Sequence, residues 1–398
     1  MTQFSYSTIR LKPNTNAQAI RFGAPWVYAN ELVLDRRAKK LSPGEVVIVE
    51  DTERKPLGLA VVNLNSKIAL RMISKDLEAE LDTAWFAEKI QSALRLREMM
   101  FDAPYYRLIH AEADGLPGVI IDRFGDVAVV QPNAAWADVR MDALSEALVE
   151  VTGVKHVIKN ASGRTRKLEG LDEVSQVIYG QMPSAPLPVP MNGATYFADV
   201  AGGQKTGLFF DQRPNHAFVA NLSKGARVLD VFSHVGGFSL AALAGGAASA
   251  VAVDGSEHAL DLAGQGAAAM GMADRYETRR GDAFDVLAAL VEEGELFDVV
   301  ICDPPAFASS KQSLEAGLRA YERVARLAAP LVREGGILGL CSCSHAAVLP
   351  KFRSSCVRGI GRAGRTARLI HTGYAGPDHP QHPQLPESGY LKSLFFHL

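Results

Sequence analysis

Residues 228–243 read VLDVFSHVGGFSLAAL. The stretch divides into a strand with Asp230 near its end, a glycine turn at Gly236 and Gly237, and a helix over 237–244. The same alternation continues on both sides. Strand patterns fall at 227–232, 250–254, 276–280, 297–303, 337–343, 367–372 and 390–398. Helical patterns at 237–244, 256–272, 283–293, 314–332 and 348–362 separate most of them. Such alternation predicts an α/β fold, a mostly parallel sheet with helices on both faces. Ligands of these sheets lie beyond the carboxyl ends of the strands, so the chemistry is sought along that edge.

A proline-rich run, MPSAPLPVP at 182–190, precedes this region and reads as a linker. Before it, residues 76–181 form a small α+β block. A helix over 81–100 carries Trp85, Phe86, Ile90 and Leu94 at helical spacing. GVIIDRFGDVAVVQ at 118–131 reads as a hairpin turning at Phe124, Gly125 and Asp126, followed by a helix over 141–151 and a short strand at 156–159. Residues 1–75 read as closely spaced short strands, among them GEVVIVED at 44–51 and LGLAVVNLN at 57–65, the pattern of a small β-barrel. The expected domains are therefore 1–75, 76–181 and 182–398.

The chain has 398 residues, length for two or three domains. Its 47% hydrophobic and 22% charged residues exclude a disordered, collagen-like or coiled-coil chain. No apolar stretch is long enough for a transmembrane helix, and the opening MTQFSYSTIRLKPN lacks the apolar core of a secretory signal. Four cysteines (Cys302, Cys341, Cys343 and Cys356) are too few for a disulfide framework, and a reduced cytoplasmic protein is expected. The net charge of -2 conceals an asymmetry. Residues 1–75 hold 12 Lys and Arg against 6 acids, an excess of 6, which leaves -8 for the remainder. A basic module on an acidic body suits a polyanionic partner, and a merely solvated basic surface reads the same way. A second basic stretch, 351–368, holds Lys351, Arg353, Arg358, Arg362, Arg365 and Arg368 and no acid. Phosphate contacts and an ordinary solvated helix face are both open there.

The glycine turn is neither G-x-G-x-x-G nor a P-loop, so neither a pyrophosphate cradle nor a nucleotide-triphosphate loop is supported. It remains a turn where a ligand approaches the backbone closely. Four successive strand tips are acidic: Asp230, Asp254, Asp282 and Asp303. Asp254 is placed to accept from ribose hydroxyls, and Asp282 from an exocyclic amine. Taken singly, each is equally a helix cap. Asp303 with Pro304 and Pro305 makes a rigid exit from its strand. The next strand ends CSCSH, and regular alternation puts Cys341, Cys343 and His345 on one face. They read as buried core, as metal ligands without a second Cys pair, or as a site containing a nucleophile, for which Cys343 at the tip is best placed. His345 is the sequence neighbour able to lower its pKa.

These motifs resemble those of class I S-adenosylmethionine-dependent methyltransferases: LDVFSHVGGFS, containing Phe232 and Ser233, as the glycine-rich motif; VDGS for the ribose; GDAF, containing Ala283, for the adenine. RLKPNTNAQAIRFGAPWVYANEL (10–32) resembles the opening of a PUA-type RNA-binding barrel. GQKTGLFFDQRPN (203–215), DPPAFASSK, CSCSH and PDHPQHPQLPESGYLK (377–392) are similar to the bacterial 23S rRNA large-subunit methyltransferase I family. That resemblance implies a PUA barrel, a central α+β domain and a Rossmann-like catalytic domain. It further implies 5-methylcytosine formation in 23S ribosomal RNA, with S-adenosyl-L-methionine as cofactor, Cys343 as thiol nucleophile and Asp303 as its partner on the base. Asp230, Phe232, Ser233, Gly236, Gly237, Asp254, Asp282, Ala283 and Pro304 are then cofactor contacts, no metal is required, and a homodimer is compatible. Many RNA cytosine-C5 enzymes carry a second cysteine after the first proline of the fourth-strand motif; here Pro304, Pro305 and Ala306 stand there, and Cys302 and Cys356 read as structural. The alternatives are a nitrogen-directed rRNA methyltransferase, since Asp-Pro-Pro-x-Phe also suits that chemistry, and a non-catalytic RNA-binding assembly factor.

Overall fold

A computed structural model of the chain describes residues 6–202 and 207–398. They form two compact units, one of residues up to 183 together with 378–386, the other of 184–377 together with 387–398.

The first unit opens with β1 (Ser7–Arg10), α1 (Ala17–Arg21), β2 (Trp26–Tyr28), β3 (Val46–Glu50), β4 (Pro56–Val62) and β5 (Ile68–Ser74). The strands pair in the order β1-β3-β4-β5-β2. Past β1, Leu11 bridges Leu32, so the extensions of the two edge strands meet and the sheet closes into the expected barrel. Alternation sends Val47, Val49, Ala60 and Val62 inward with Ile9, Ile20 and Val27. Val46, Ile48, Leu59 and Val61 pack outward on the block that follows. That block contains α2 (Thr83–Glu98), β6 (Tyr105–His110), β7 (Val119–Phe124), β8 (Val127–Pro132), α3 (Ala135–Asp138), α4 (Met141–Thr152), β9 (His156–Lys159), α5 (Arg164–Glu169) and β10 (Gln176–Tyr179). Asp82 caps α2, accepting from the Trp85 amide at 2.9 Å, and the Phe86 and Trp136 rings stack at 5.8 Å in the shared core. Gly125 turns the β7–β8 hairpin at φ +63°.

The second unit starts with a ribbon, β11 (Leu187–Met191) on β12 (Ala194–Ala198). Half of the proline-rich run expected as linker is therefore strand. Pro188 and Pro190 are tolerated because a two-stranded ribbon leaves alternate N–H groups pointing away from the partner, while Val189 and Met191 are buried. There follow α6 (Arg213–Leu222), β13 (Arg227–Val231), α7 (Gly237–Ala244), β14 (Ser249–Asp254), α8 (Glu257–Ala269), β15 (Tyr276–Arg280), α9 (Ala283–Glu292), β16 (Phe297–Cys302), α10 (Leu314–Ala328), β17 (Val332–Ser342), α11 (Leu349–Arg362), β18 (Arg368–Gly373) and β19 (Lys392–His397). The strand order is β15-β14-β13-β16-β17-β19-β18. The five strands from β15 to β17 are parallel, and β19 runs antiparallel to both its neighbours. Leu229, Val231, Val251, Val253, Val300 and Cys302 face α9, α10 and α11 in one core. The strand order reverses between β13 and β16, and that is where a ligand crevice opens in such sheets.

The largest boundary shifts from the sequence expectation fall at α10 and β17. α10 stops at Ala328 because Pro330 enters a 3₁₀ turn, Ala329–Leu331. β17 begins at Val332, with a register irregularity against β16, and ends at Ser342.

Candidate active site

Register fixes what meets at the crevice. Val231 pairs with Cys302, and the Asp303 amide donates to the Val231 carbonyl at 3.1 Å, so both chains leave the sheet at one level. Beyond β13 the chain takes left-handed φ at two non-glycine residues, Phe232 (+63°) and His234 (+49°). Such conformations cost on the order of 1 kcal/mol each and persist where neighbours impose them. Here the Ser233 amide donates to the Val253 carbonyl at 3.0 Å and the His234 amide to Asp254 Oδ2 at 2.9 Å. Asp254 Oδ1 accepts from the Ser256 amide, so this carboxylate ties the loop after β13 to the end of β14. The Ser233 hydroxyl is buried without a partner among the described residues, an orphaned polar group at the crevice.

Four of the expected contacts, Asp230, Asp282, Gly236 and Gly237, also serve the protein's own packing. Asp230 is not a strand tip. It lies within β13, fully buried, and accepts from the Ser239 amide of α7 at 2.8 Å. Burial pushes its carboxyl up to about 6, against the helix amides that lower it. Asp282 is exposed and caps α9, accepting from the Phe284 and Asp285 amides; Ala283, the first residue of that helix, is buried. At Gly236 (φ +82°) an added Cβ lies 2.8 Å from the Tyr276 hydroxyl, and at Gly237 2.7 Å from His216 Nε2. Any side chain at these two positions would clash with the protein.

A cluster of aromatic rings has no mark in the sequence. Phe232 and Phe307, from the loops after β13 and β16, and Phe284, in the first turn of α9, lie 6.2–6.5 Å apart centroid to centroid, with the Arg323 guanidinium 4.4 Å over Phe284. Phe284 and Phe307 are tilted by 31° and Phe232 stands edge-on to both, an apolar cluster next to the Asp282 cap.

On the other side of β16 stand Asp303, half-buried, and Pro304, buried. Cys302 pairs with Leu340 of β17, which puts Asp303 level with Cys341 and leaves Cys343 two residues further out. Cys343 is half-buried, just past the end of β17. Its neighbours fix it. The Ser342 hydroxyl donates to the Tyr321 hydroxyl at 2.9 Å, which lies 2.8 Å from the Ser344 hydroxyl, and the latter accepts from the Ala308 amide at 3.0 Å. Cys341 is buried, and burial with the nearby Asp303 charge pushes its thiol well up; Cys302 and Cys356 are buried in the core and their thiols are raised likewise. His345 does not share a face with Cys341 and Cys343, because the strand ends at Ser342 and His345 sits exposed on a turn. The residue that comes close instead is Lys392 of β19, buried, donating to the Ser344 carbonyl at 2.6 Å. Of the stretch 203–215, residues 203–206 lie outside the described residues; Asp211 accepts from the Tyr390 hydroxyl at 2.6 Å.

The basic surfaces are also redrawn. Arg71 is buried between Glu112 and Glu169. Arg358 and Arg362 both pair with Glu322, and Arg365 donates to the Ala329 and Val332 carbonyls, so half of the expected basic face of 351–368 serves packing. Exposed cations remain at Arg36, Arg37, Lys39 and Lys40 and at Lys351, Arg353 and Arg368. α10 adds Arg319, Arg323 and Arg326, which line a cleft with Arg362. Among the described residues no helix is long and apolar enough to cross a membrane, and no three His, Cys, Asp or Glu are grouped to hold a metal ion.

Known proteins share this arrangement over nearly its full length. Residues 164–397 match the family described as S-adenosylmethionine-dependent methyltransferase, and residues 9–75 a PUA-like domain. The chain is 36% identical over 389 residues, 96% of its length and 97% of the relative's, to ribosomal RNA large subunit methyltransferase I of Alteromonas mediterranea. It is 34% identical over 372 residues to the protein of that name from Escherichia coli O157:H7, covering 92% of this chain and 93% of the other. Among solved structures, an S-adenosylmethionine-dependent methyltransferase assigned in Streptococcus mutans superposes with a TM-score of 0.82 at 20% identity, over 98% of this chain and 100% of that one. Sequence and fold agree, and the chain belongs to the ribosomal RNA large subunit methyltransferase I family, whose members join a PUA-like domain to an S-adenosylmethionine-dependent methyltransferase domain.

Proposed function

We propose that this protein methylates the C5 carbon of a cytosine in 23S ribosomal RNA through a covalent adduct with Cys343. The observation that carries the reading is the contrast among the four cysteines. Three are buried core residues, and Cys343 alone stands half-exposed at the strand edge, pinned on both sides by Ser342 and Ser344. A methyltransferase acting on a base nitrogen has no use for a positioned thiol.

The residues beyond β13, β14 and β15 fit S-adenosylmethionine. Asp254 has carboxylate oxygens for the ribose, Asp282 stands at the adenine end beside Phe284, and the buried Ser233 hydroxyl offers an unused polar group. Phe232, Ala283, Pro304 and the backbone at Gly236 and Gly237 complete the pocket, while Asp230 shapes it from beneath by holding the start of α7. The cofactor supplies an electrophilic methyl group. C5 of cytosine is a poor nucleophile, so the Cys343 thiolate first adds to C6, forming the S–C6 bond and making C5 electron-rich. Asp303 holds the N3 and amine edge of the base. After methylation solvent water takes the C5 proton, the C–H electron pair re-forms the C5=C6 bond, and the S–C6 bond breaks to return the thiolate. The base must leave its stack, which is least costly in single-stranded or loop RNA. The exposed cations of 36–40 and of the α10 and α11 face contact phosphates without reading sequence.

The test uses a 23S rRNA fragment carrying 5-fluorocytosine, whose fluorine cannot leave as a proton. Enzyme, cofactor and this RNA give a shifted band on a denaturing gel that is lost in Cys343→Ala. A band that survives there and is lost in Cys341→Ala moves the nucleophile two residues upstream. No band in any variant, with normal RNA still methylated, favours a nitrogen target and sinks the proposal.

A further inference from the structure

Lys392 is 4% exposed, a rare position for a lysine. Antiparallel pairing sets it opposite Ser342, so it enters β19 at the edge where β17 ends. From there its side chain reaches the carbonyl of Ser344 at 2.6 Å, passing the level of Cys343, which lies between the two residues. A buried ammonium is costly unless a counter-charge lies near. Among the described residues no carboxylate lies within ion-pair distance of Lys392, and its one hydrogen-bond acceptor is that neutral carbonyl. The other groups near the pair have other roles. Tyr321 of α10 is pushed up to about 12, chiefly by burial, and stays neutral. Asp303, after β16, acts on the buried Cys341 and Cys302. His345 is exposed on its turn. The charge left to face Lys392 is the sulfur of Cys343.

We propose that Lys392 is a positioning residue for the reaction: its amino group, anchored on the Ser344 carbonyl, pairs with Cys343 and holds the sulfur as a thiolate before the base arrives. The inference rests on Cys343 being the nucleophile. In the pairing step the S–H bond of Cys343 breaks and an N–H bond forms on the neutral amine, leaving thiolate beside ammonium with no net change in charge. Burial lowers Lys392 to about 8 and the Cys343 sulfur works against that fall, so near neutral pH the amine is within reach of both protonation states. Lysine is suited to this role because it carries a compact charge on a flexible stem and changes protonation readily when buried.

The experiment is the pH dependence of Cys343 alkylation by iodoacetamide on the full chain, without RNA or cofactor, read by mass spectrometry that localises the adduct. The wild type is expected to react with a midpoint about one unit below the free-cysteine value of roughly 8.5. Lys392→Met moves the midpoint up by about one unit and slows alkylation at pH 7 about tenfold, and Lys392→Arg, with its permanent charge, restores reactivity. A wild-type midpoint at or above the free-cysteine value overturns the pairing whatever the variants do. So does a Lys392→Met profile that superposes on the wild type while cofactor binding by calorimetry is intact. The 5-fluorocytosine gel separates the two proposals. An adduct on RNA with an unshifted thiol midpoint sinks the Lys392 pairing alone, and a lowered midpoint that depends on Lys392, without any adduct, upholds the pairing and sinks the C5 reading.

Discussion

Tyr321→Phe removes one oxygen and tests whether the network around Cys343 serves catalysis as well as packing. The hydroxyl it deletes accepts from Ser342 at 2.9 Å and lies 2.8 Å from the Ser344 hydroxyl, and both serines are essentially inaccessible to water. Two buried hydrogen bonds contribute about 1 kcal/mol each, and stranding the Ser342 hydroxyl proton adds a further cost of about 1 kcal/mol. Against this, phenylalanine no longer buries a polar oxygen, so the expected net loss is about 2 kcal/mol. Urea unfolding of the full chain reads it as a lowered midpoint without a changed slope. A double-mutant cycle with Ser342→Ala isolates the bond, and a coupling of about 1 kcal/mol is expected between the two positions. Single-turnover methylation of an rRNA fragment should fall about tenfold in rate, with cofactor affinity unchanged, because only the aim of the Cys343 side chain is loosened. Strictly additive stabilities with an undiminished rate would refute the argument that these hydroxyls hold the thiol in place.

Two further outcomes follow from buried and exposed charge. Asp230 has a carboxyl raised to about 6 by burial, against about 3.9 in the unfolded chain, so its contribution to stability is present below about pH 4 and lost as pH rises through 6; the loss amounts to about 3 kcal/mol. Asp230→Asn should therefore gain on the wild type by about that amount between pH 4 and pH 7, and a stability gap that stays constant across this window contradicts the reading. Replacing the exposed Arg36, Arg37, Lys39 and Lys40 by Gln is expected to weaken binding to a 23S rRNA fragment. The slope of log affinity against log salt should fall by about three, because each neutralised phosphate adds roughly 0.7–0.9 to it. An unchanged slope removes the barrel from the RNA interface.

The sheet is legible because its parallel strands, covered on both faces, read as apolar runs such as 250–253 and 299–302. Their carboxyl ends follow directly, and with them Asp254, Asp303 and Cys343. What the sequence hides depends on pairing between distant segments. Nothing local marks Asp230 as facing into α7 rather than into the crevice, since a strand residue chooses its face only once both layers are in place. Phe232 reads as a cofactor contact, but Phe284 and Phe307 read as ordinary core residues until the loops after β13 and β16 and the start of α9 bring the three rings together. The arginines of 351–368 look free in the sequence because Glu322, which takes two of them, lies on a different helix. Pro188 and Pro190 suggest a linker because proline is excluded from central strands, and a two-stranded ribbon escapes that rule.

The placement of β19 explains why a lysine so far along the chain belongs to the thiol. Parallel strands bring only their last residues to this edge, and those of β16 and β17, Cys302 and Ser342, with Asp303 and Cys343 just beyond them, include no cation. Beside β17 the cation comes from a strand running the other way, whose first residue arrives where the others finish. β19 is that strand: inserted between β17 and β18 and antiparallel to both, it presents Lys392 opposite Ser342, while Tyr390 just before it is tied to Asp211. Six consecutive register pairs from Ile337–His397 to Ser342–Lys392 hold it there. Slipping that register by one residue would turn Lys392 to the opposite face of the sheet and away from the sulfur. Lys392 therefore owes its position to the strand pairing, whatever mobility its side chain has.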